Sequence, residues 1–310
     1  MAVRPDLVTR SVPVAVRPRL LHGVLEREGA FSWIMLTPGV LFLLAFVAYP
    51  LFYGVWLSLQ DRPVAKPGVF IGLGNFVTLA HDGVFWQVTR NTFVYTLVTT
   101  VLKLLGGLAM ALVINQHFRG RSLVRAFLLL PFIVPTALST IAWMWIFDPT
   151  FSVINWVLIH GGAIQTGFSW LGNSTLAMVA IIVVNTWRGM PFYGITLLAG
   201  LQTISPELYE VAAIDGATTR QRFWYVTMPL IKPVLVIVTM FSVIFTFSDF
   251  QLIYALTHGG PANATQVYAT YAYDLGMSAG KLGLGAAVAL SMLPALAVLI
   301  VALTLYLRRE

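Results

Sequence analysis

The chain has 310 residues, of which 58% are hydrophobic and only 10% charged, and its mean hydropathy is +0.82. Soluble domains carry about 25% charged residues, so these values exclude an ordinary soluble fold. There is no cysteine, which removes disulfides, thiolate catalysis and Cys-ligated metals.

Residues 1–30 hold five Arg and scattered apolar residues, without a short apolar run followed by a small-residue cleavage site. They read as a cytoplasmic tail, with a short surface helix over 20–28. Six apolar stretches long enough to span a bilayer follow, at 33–57, 92–114, 123–147, 175–201, 233–257 and 286–307. Residues 31–310 are therefore expected to form one six-span, all-α membrane domain. Basic residues outside the spans, with Arg125 at the start of the third counted among them, number 13 on the side of the N-terminus and four on the other. Without the tail the ratio is still eight to four. The excess of Lys and Arg behind the net charge of +7 thus points to cytoplasmic loops and places both termini in the cytoplasm, with no nucleic-acid partner expected. Trp33, Tyr49, Tyr53, Trp143, Trp145 and Phe147 sit where interfacial aromatic belts form.

Three charges fall inside spans. Lys103 lies midway along the second, Arg188 midway along the fourth and Asp249 in the outer half of the fifth. Such charges cost about 2.5–3.5 kcal/mol on insertion scales and need a reason. For Lys103 the favoured reason is snorkelling or a structural ion pair, because Gly106, Gly107 and Ala111 mark a helix-packing face beside it. Arg188 lies in NTWRGMPFY, where Gly189 and Pro191 are expected to break or kink the helix and free backbone groups for a ligand. Ser242, Phe245, Thr246 and Asp249 recur at helical spacing, giving a polar face with one ring, as a sugar needs. An unpaired Arg188 would suit an anionic substrate; paired with Asp249 it would be structural.

Between the fourth and fifth spans, residues 202–232 form a connection long enough to have a purpose. Ser205 is a candidate N-cap, Pro206 suits the first helical position, and Glu207 favours the helix N-terminus. Leu208, Val211 and Ala212 share a face, and Gly216 supplies the stop. A second amphipathic piece with Arg220, Arg222, Phe223 and Trp224 is expected from Thr218 or Thr219, closed by Pro229 and Pro233. A helix lying on lipid and a helix docked in a protein groove both fit this pattern. The acidity of the first piece (Glu207, Glu210, Asp215) favours protein, since anionic lipid repels it.

The segment EVAAIDG over 210–216, followed by MPL at 228–230, closely resembles the EAA loop of binding-protein-dependent ABC transporter permeases, above all the sugar (maltose/glycerol-phosphate type) branch. It departs at Val211, where Ala is usual, and at Ser205, where Ile-Pro is more usual than Ser-Pro. FIGLGNF (70–76), RNT (90–92), FDP (147–149), WRGMPF (187–192) and LTHGGP (256–261) extend the likeness over nearly the whole chain from Trp33. The resemblance implies the type I ABC importer permease fold, six transmembrane helices with a cytoplasmic coupling helix, in a bacterial or archaeal cytoplasmic membrane. It implies that Glu210, Ala212, Ala213, Asp215 and Gly216 dock on an ATP-binding subunit dimer. It implies a substrate path over Arg188, Gly189, Phe192, Ser242, Phe245, Thr246 and Asp249. The implied partners are a second permease subunit, an external solute-binding protein and membrane lipid. ATP and Mg²⁺ would be bound by the partner ATPase, and this chain would hold no cofactor, no metal and no catalytic residue. An ABC permease for another solute, a self-sufficient secondary carrier and a membrane enzyme are the alternatives.

Other motifs carry less. GMSAGKL (276–282) is one residue short of a phosphate loop and lacks its hydroxyl. The five histidines show no paired ligand spacing.

Overall fold

A computed structural model describes residues 28–308. Almost all of the expected tail, including the surface helix over 20–28 save for Glu28, lies outside the described residues. Contacts divide the chain into two compact units, Met1–Tyr53 and Gly54–Glu310. In the first, helix α1 (Glu28–Leu43) passes through a π-helical turn (Leu44–Ala48) into α2 (Tyr49–Ser58), which continues into the second unit. Together Ser32–Ser58 make an apolar helix long enough to cross a membrane. Its large side chains, among them Trp33, Phe42 and Phe46, are exposed, as lipid contact requires.

In the second unit a two-stranded antiparallel ribbon, β1 (Gln60–Asp61) and β2 (Val69–Phe70), precedes the short helix α3 (Gly74–Ala80). Asn75 fastens the ribbon by donating to the Ser58 and Gln60 carbonyls, both at 2.8 Å. Helix α4 (Gly83–Asn115) has 33 residues, capped by Asp82, whose carboxylate accepts from the Val84 amide. It begins nine residues before the expected start at Thr92. The added turns contribute Phe85 and Val88 to the core, and their polar residues are occupied. Gln87 donates to the Ala262 carbonyl, and Asn91 to those of Asn263 and Gln266, so α4 anchors a distant loop.

The expected third span, 123–147, is not one helix. Helices α5 (Arg121–Ile133) and α6 (Thr136–Ile146) meet at 94°. Pro135 has no amide to donate and forces Val134 into an extended conformation (ψ 128°), which ends α5. After α7 (Val153–His160), Asn155 ties down the following loop. Its amide donates to the Phe168 carbonyl, and its side-chain oxygen accepts from the Phe168 amide and the Trp170 indole.

Helix α8 (Ser174–Gln202) starts at the Asn173 cap and runs unbroken through Gly189 and Pro191. The break expected at those residues is absent. The break among the described spans that matters for the site falls in the third span and at the end of the fifth.

Helices α9 (Pro206–Ile214) and α10 (Thr219–Arg222) form the expected two-part loop. Ser205 occupies the N-cap position, but its side chain makes no capping bond, so the stronger start signal is Pro206 at the first turn. The second piece begins at a Thr218/Gln221 capping box. Pro229 and Pro233 do not close it. A π-helical turn, Phe223–Thr227, absorbs the amide that Pro229 lacks, and α10 continues into α11 (Met228–Phe247). The expected fifth span, 233–257, is therefore displaced. The continuous helix is Thr219–Phe247; Ser248, Asp249 and Phe250 interrupt it before α12 (Gln251–Thr257). After α13 (Tyr268–Tyr273) and a third π-helical turn (Asp274–Ser278), α14 (Leu282–Arg308) forms the last span.

Five described helices are long and apolar enough to cross a membrane, and six if the bent α5–α6 pair counts as one. Helices α4 and α8 pack through Gly106, Gly107 and Ala111, as the small-residue face implies. A Cβ on Gly107 would lie 2.3 Å from the Tyr193 Cβ and 3.1 Å from the Gly194 amide nitrogen. Tyr193, Leu197, Ile231 and Val238, all fully buried, extend this contact to α11. Gly107→Val is therefore expected to lower stability by about 1–3 kcal/mol through overpacking. The check is thermal unfolding of the detergent-purified protein beside Gly83→Val, where nothing lies within 4 Å of the added carbon.

Candidate functional site: a cavity beside two helix breaks

The interruption after α11 turns Asp249 inward. Its side chain is 5% exposed, and its Oδ2 accepts from the Tyr95 hydroxyl at 2.8 Å and the Asn185 amide at 2.7 Å. The Arg188 guanidinium stands 3.9 Å from the same oxygen. The other carboxylate oxygen receives the Leu252 amide at 3.4 Å, which fixes α12 to the break. Three segments thus converge on one carboxylate. Arg188 also donates to the Thr136 hydroxyl, the first residue after the α5–α6 bend. The bend and the interruption are held together by one side chain.

A cavity of about 510 Å³ opens beside this network. That volume lies within the range of small-molecule sites, roughly 300–1,000 Å³. Every residue of the expected substrate path borders it: Arg188, Gly189, Phe192, Ser242, Phe245, Thr246 and Asp249. Their contributions differ. Phe192 stacks on Phe132 with ring centroids 5.9 Å apart, so α8 and α5 supply an aromatic wall. Ser242 and Thr246 are buried on α11, whereas the Phe245 ring is exposed and stacks on Phe241. Gly189 acts by its smallness, not by a helix break, because a Cβ there would lie 2.6 Å from the Lys103 Cε.

Lys103 corrects the sequence reading. Its side chain neither snorkels to an interface nor pairs with a carboxylate among the described residues. It is buried, its Nζ donates to the Thr246 hydroxyl at 2.9 Å, and it lines the cavity. The sequence reading also missed Tyr95, Asn185, Thr136 and Phe132. A signal existed: Thr92, Tyr95, Thr96, Thr99, Thr100 and Lys103 recur at spacings of three and one, and all are buried on one face of α4.

The loop between α8 and α10 is the second region of interest. Gly216 has φ +78°, and the Gly216 and Ala217 amides return to the carbonyls of Ala213 and Ala212, the Schellman pattern. Tyr209 hydrogen-bonds the Thr227 hydroxyl at 3.0 Å, tying α9 to the π-helical turn. Otherwise α9 is bare. Leu208, Val211 and Ile214 are exposed, the last at 86%, as are Glu210, Ala213, Asp215 and Gly216; Ala212 is half-buried. Among the described residues no three His, Asp or Glu side chains gather as a metal would need.

Several apolar spans around a cavity lined by charged, hydroxyl and aromatic side chains, with an exposed amphipathic loop between two of them, define a multi-pass membrane transport component. Residues 103–310 match the family described as binding-protein-dependent transport system inner membrane component, and the chain belongs to that family. It is 34% identical over 265 residues to the trehalose/maltose transport system permease protein MalF of Thermococcus litoralis, covering 85% of this chain and 89% of that one. It is 33% identical to the sulfoquinovosyl glycerol transport system permease protein SmoG of Agrobacterium fabrum, with 84% of each chain covered. The fold matches a bacterial ABC transporter involved in import of alginate, with a TM-score of 0.79, 23% identity, and coverage of 93% of this chain and 98% of that one. The chain is thus a permease of an ABC transporter.

Removing the Asp249 acceptor should be costly, because a buried network that loses one charge leaves its partners unsatisfied. Asp249→Ala is expected to lower stability by about 3–5 kcal/mol, and Tyr95→Phe by about 1 kcal/mol. Denaturant titration of both variants in detergent measures the difference; equal losses would contradict Asp249 as the hub.

Proposed function

We propose that this chain forms part of the translocation path of an ATP-driven importer for a sugar or sugar derivative delivered by an external binding protein. The observation that carries the reading is the placement of α9. An exposed helix with an apolar and acidic surface sits in the loop joining α8 to α11, and those two helices line the cavity. In this reading α9 is the coupling helix. Glu210, Ala212, Ala213, Asp215 and Gly216 present it to an ATP-binding subunit, whose closure tilts α8 and α11. The loop then lies in the cytoplasm with both termini, in agreement with the excess of basic residues on that side.

The importer needs two ATP-binding subunits, a second permease and the solute-binding protein. Nucleotide and Mg²⁺ belong to the ATPase, and this chain performs no catalysis and holds no metal or cofactor. A carbohydrate suits the cavity because the Phe132 and Phe192 rings offer an apolar face, while Ser242, Thr246, Ser248 and Gln251 offer hydrogen-bonding groups. The relatives named for trehalose/maltose and for sulfoquinovosyl glycerol transport support the same class.

Proline cannot adopt a φ of +78°, since its ring fixes φ near −65°. Gly216→Pro should therefore displace the end of α9, and Glu210→Lys should reverse a charge on its docking face. The test is uptake by proteoliposomes holding the complete importer. Both variants are expected to hydrolyse ATP without accumulating sugar. Wild-type uptake by both would defeat the coupling assignment, and ATP-independent uptake by this chain alone would defeat the importer reading.

A further inference from the structure

The charges around the cavity do not balance. Lys103 and Arg188 face one carboxylate, Asp249, and the Arg188–Asp249 pair is the only ion pair among the described residues. Asp249 is already engaged by the Tyr95 hydroxyl, the Asn185 amide and the Leu252 amide. Lys103 is therefore the basic group left without a carboxylate of its own. Its residue is 5% exposed, and one of its three donors goes to Thr246.

A neutral sugar cavity could be built from hydroxyl and amide side chains at no such cost. A buried, unbalanced ammonium within a membrane span is expensive unless an anion meets it. The neighbouring groups point the same way. The Thr246 hydroxyl accepts a hydrogen bond from Lys103 Nζ, which fixes the head group beside the cavity, and Gly189 leaves the room through which its stem passes.

We infer that Lys103 is a substrate-contacting residue and that the cavity prefers an anionic carbohydrate, one bearing a carboxylate or sulfonate on or next to a sugar ring. The acidic group would meet the two free Lys103 donors, while the ring lies against Phe132 and Phe192. The inference rests on the carbohydrate reading above, and it gives the anion-selecting role to Lys103, because Arg188 stands 3.9 Å from the Asp249 carboxylate whereas Lys103 has no carboxylate within that distance among the described residues.

The test uses the assembled transporter in nanodiscs without its binding protein, so that the selectivity of that protein does not intervene. Binding is followed by saturation-transfer NMR with two matched pairs. Maltose and cellobiose are each compared with the same disaccharide oxidised at its terminal C6 to a carboxylate. The wild type is expected to bind the anionic member of one pair at least about tenfold tighter, a gain typical of a charge-assisted contact. Lys103→Gln should reduce that preference to about twofold or less, and Lys103→Arg should keep it. Equal binding of both members, a preference for the neutral one, or a preference that survives Lys103→Gln would each overturn the inference. If no carbohydrate binds, the carbohydrate reading falls and the inference with it. The wild-type comparison needs no variant, and the ATPase rate of the same nanodiscs reports whether each variant complex has assembled.

Discussion

The Asp249 carboxylate is the constraint on which the site depends. A lone ionised carboxyl within the spans would be costly, so its surroundings must provide donors. They come from α4 through Tyr95, from α8 through Asn185 and Arg188, and from α12 through the Leu252 amide. One buried acceptor thus sets the relative positions of three segments that are distant in sequence. It also accounts for the interruption between α11 and α12. A continuous helix would spend the backbone amides internally, whereas the break leaves the Leu252 amide free for the carboxylate.

Two chain breaks give the cavity its polar wall, and each arises from ordinary backbone chemistry. Pro135 ends α5, and Ser248 to Phe250 end the α11 helix. Irregular backbone within a membrane protein is tolerated where protein or a cavity satisfies it. Here Thr136, directly after the first break, meets Arg188, which reaches Asp249 in the second. The neutral and charged donors converge on the Asp249 carboxylate, whereas Lys103 donates to Thr246 and faces the cavity with donors to spare.

The sequence made the number of spans, the two-part loop and the polar face of α11 legible, because hydropathy, capping residues and helical periodicity are local signals. The site was only partly legible because its decisive relations are not local. Pro191 and Pro135 look equally able to interrupt a helix. Helix α8 stays helical through Pro191, with Gly194 packed against Met110 and Gly107 against Tyr193, whereas α5 ends at Pro135. Lys103 was read as structural because its neighbours Gly106 and Gly107 do form a packing face. The polar stripe from Thr92 to Lys103 on the same helix was the competing signal, and Thr246, 143 residues away, determines where the ammonium rests.

Gln202 joins the loop to the bent third span. This residue ends α8, three positions before Ser205 opens α9. With its carboxamide turned to satisfy both neighbours, its oxygen accepts from Arg121 and Arg125 at 3.2 Å each. Those two arginines are one turn apart on α5, so the start of α5 is clamped to the chain that enters α9. The far end of α5 is the Val134–Pro135 bend, and beyond it stands Thr136 with its hydrogen bond from Arg188. In the coupling reading proposed above, a displacement of α9 would reach the cavity along the covalent paths of α8 and α11, and along α5 through side chains. Packed helices of this kind move as rigid bodies about a few irregular residues. The residues free to absorb such motion, at the α5–α6 bend and after Phe247, border the cavity themselves.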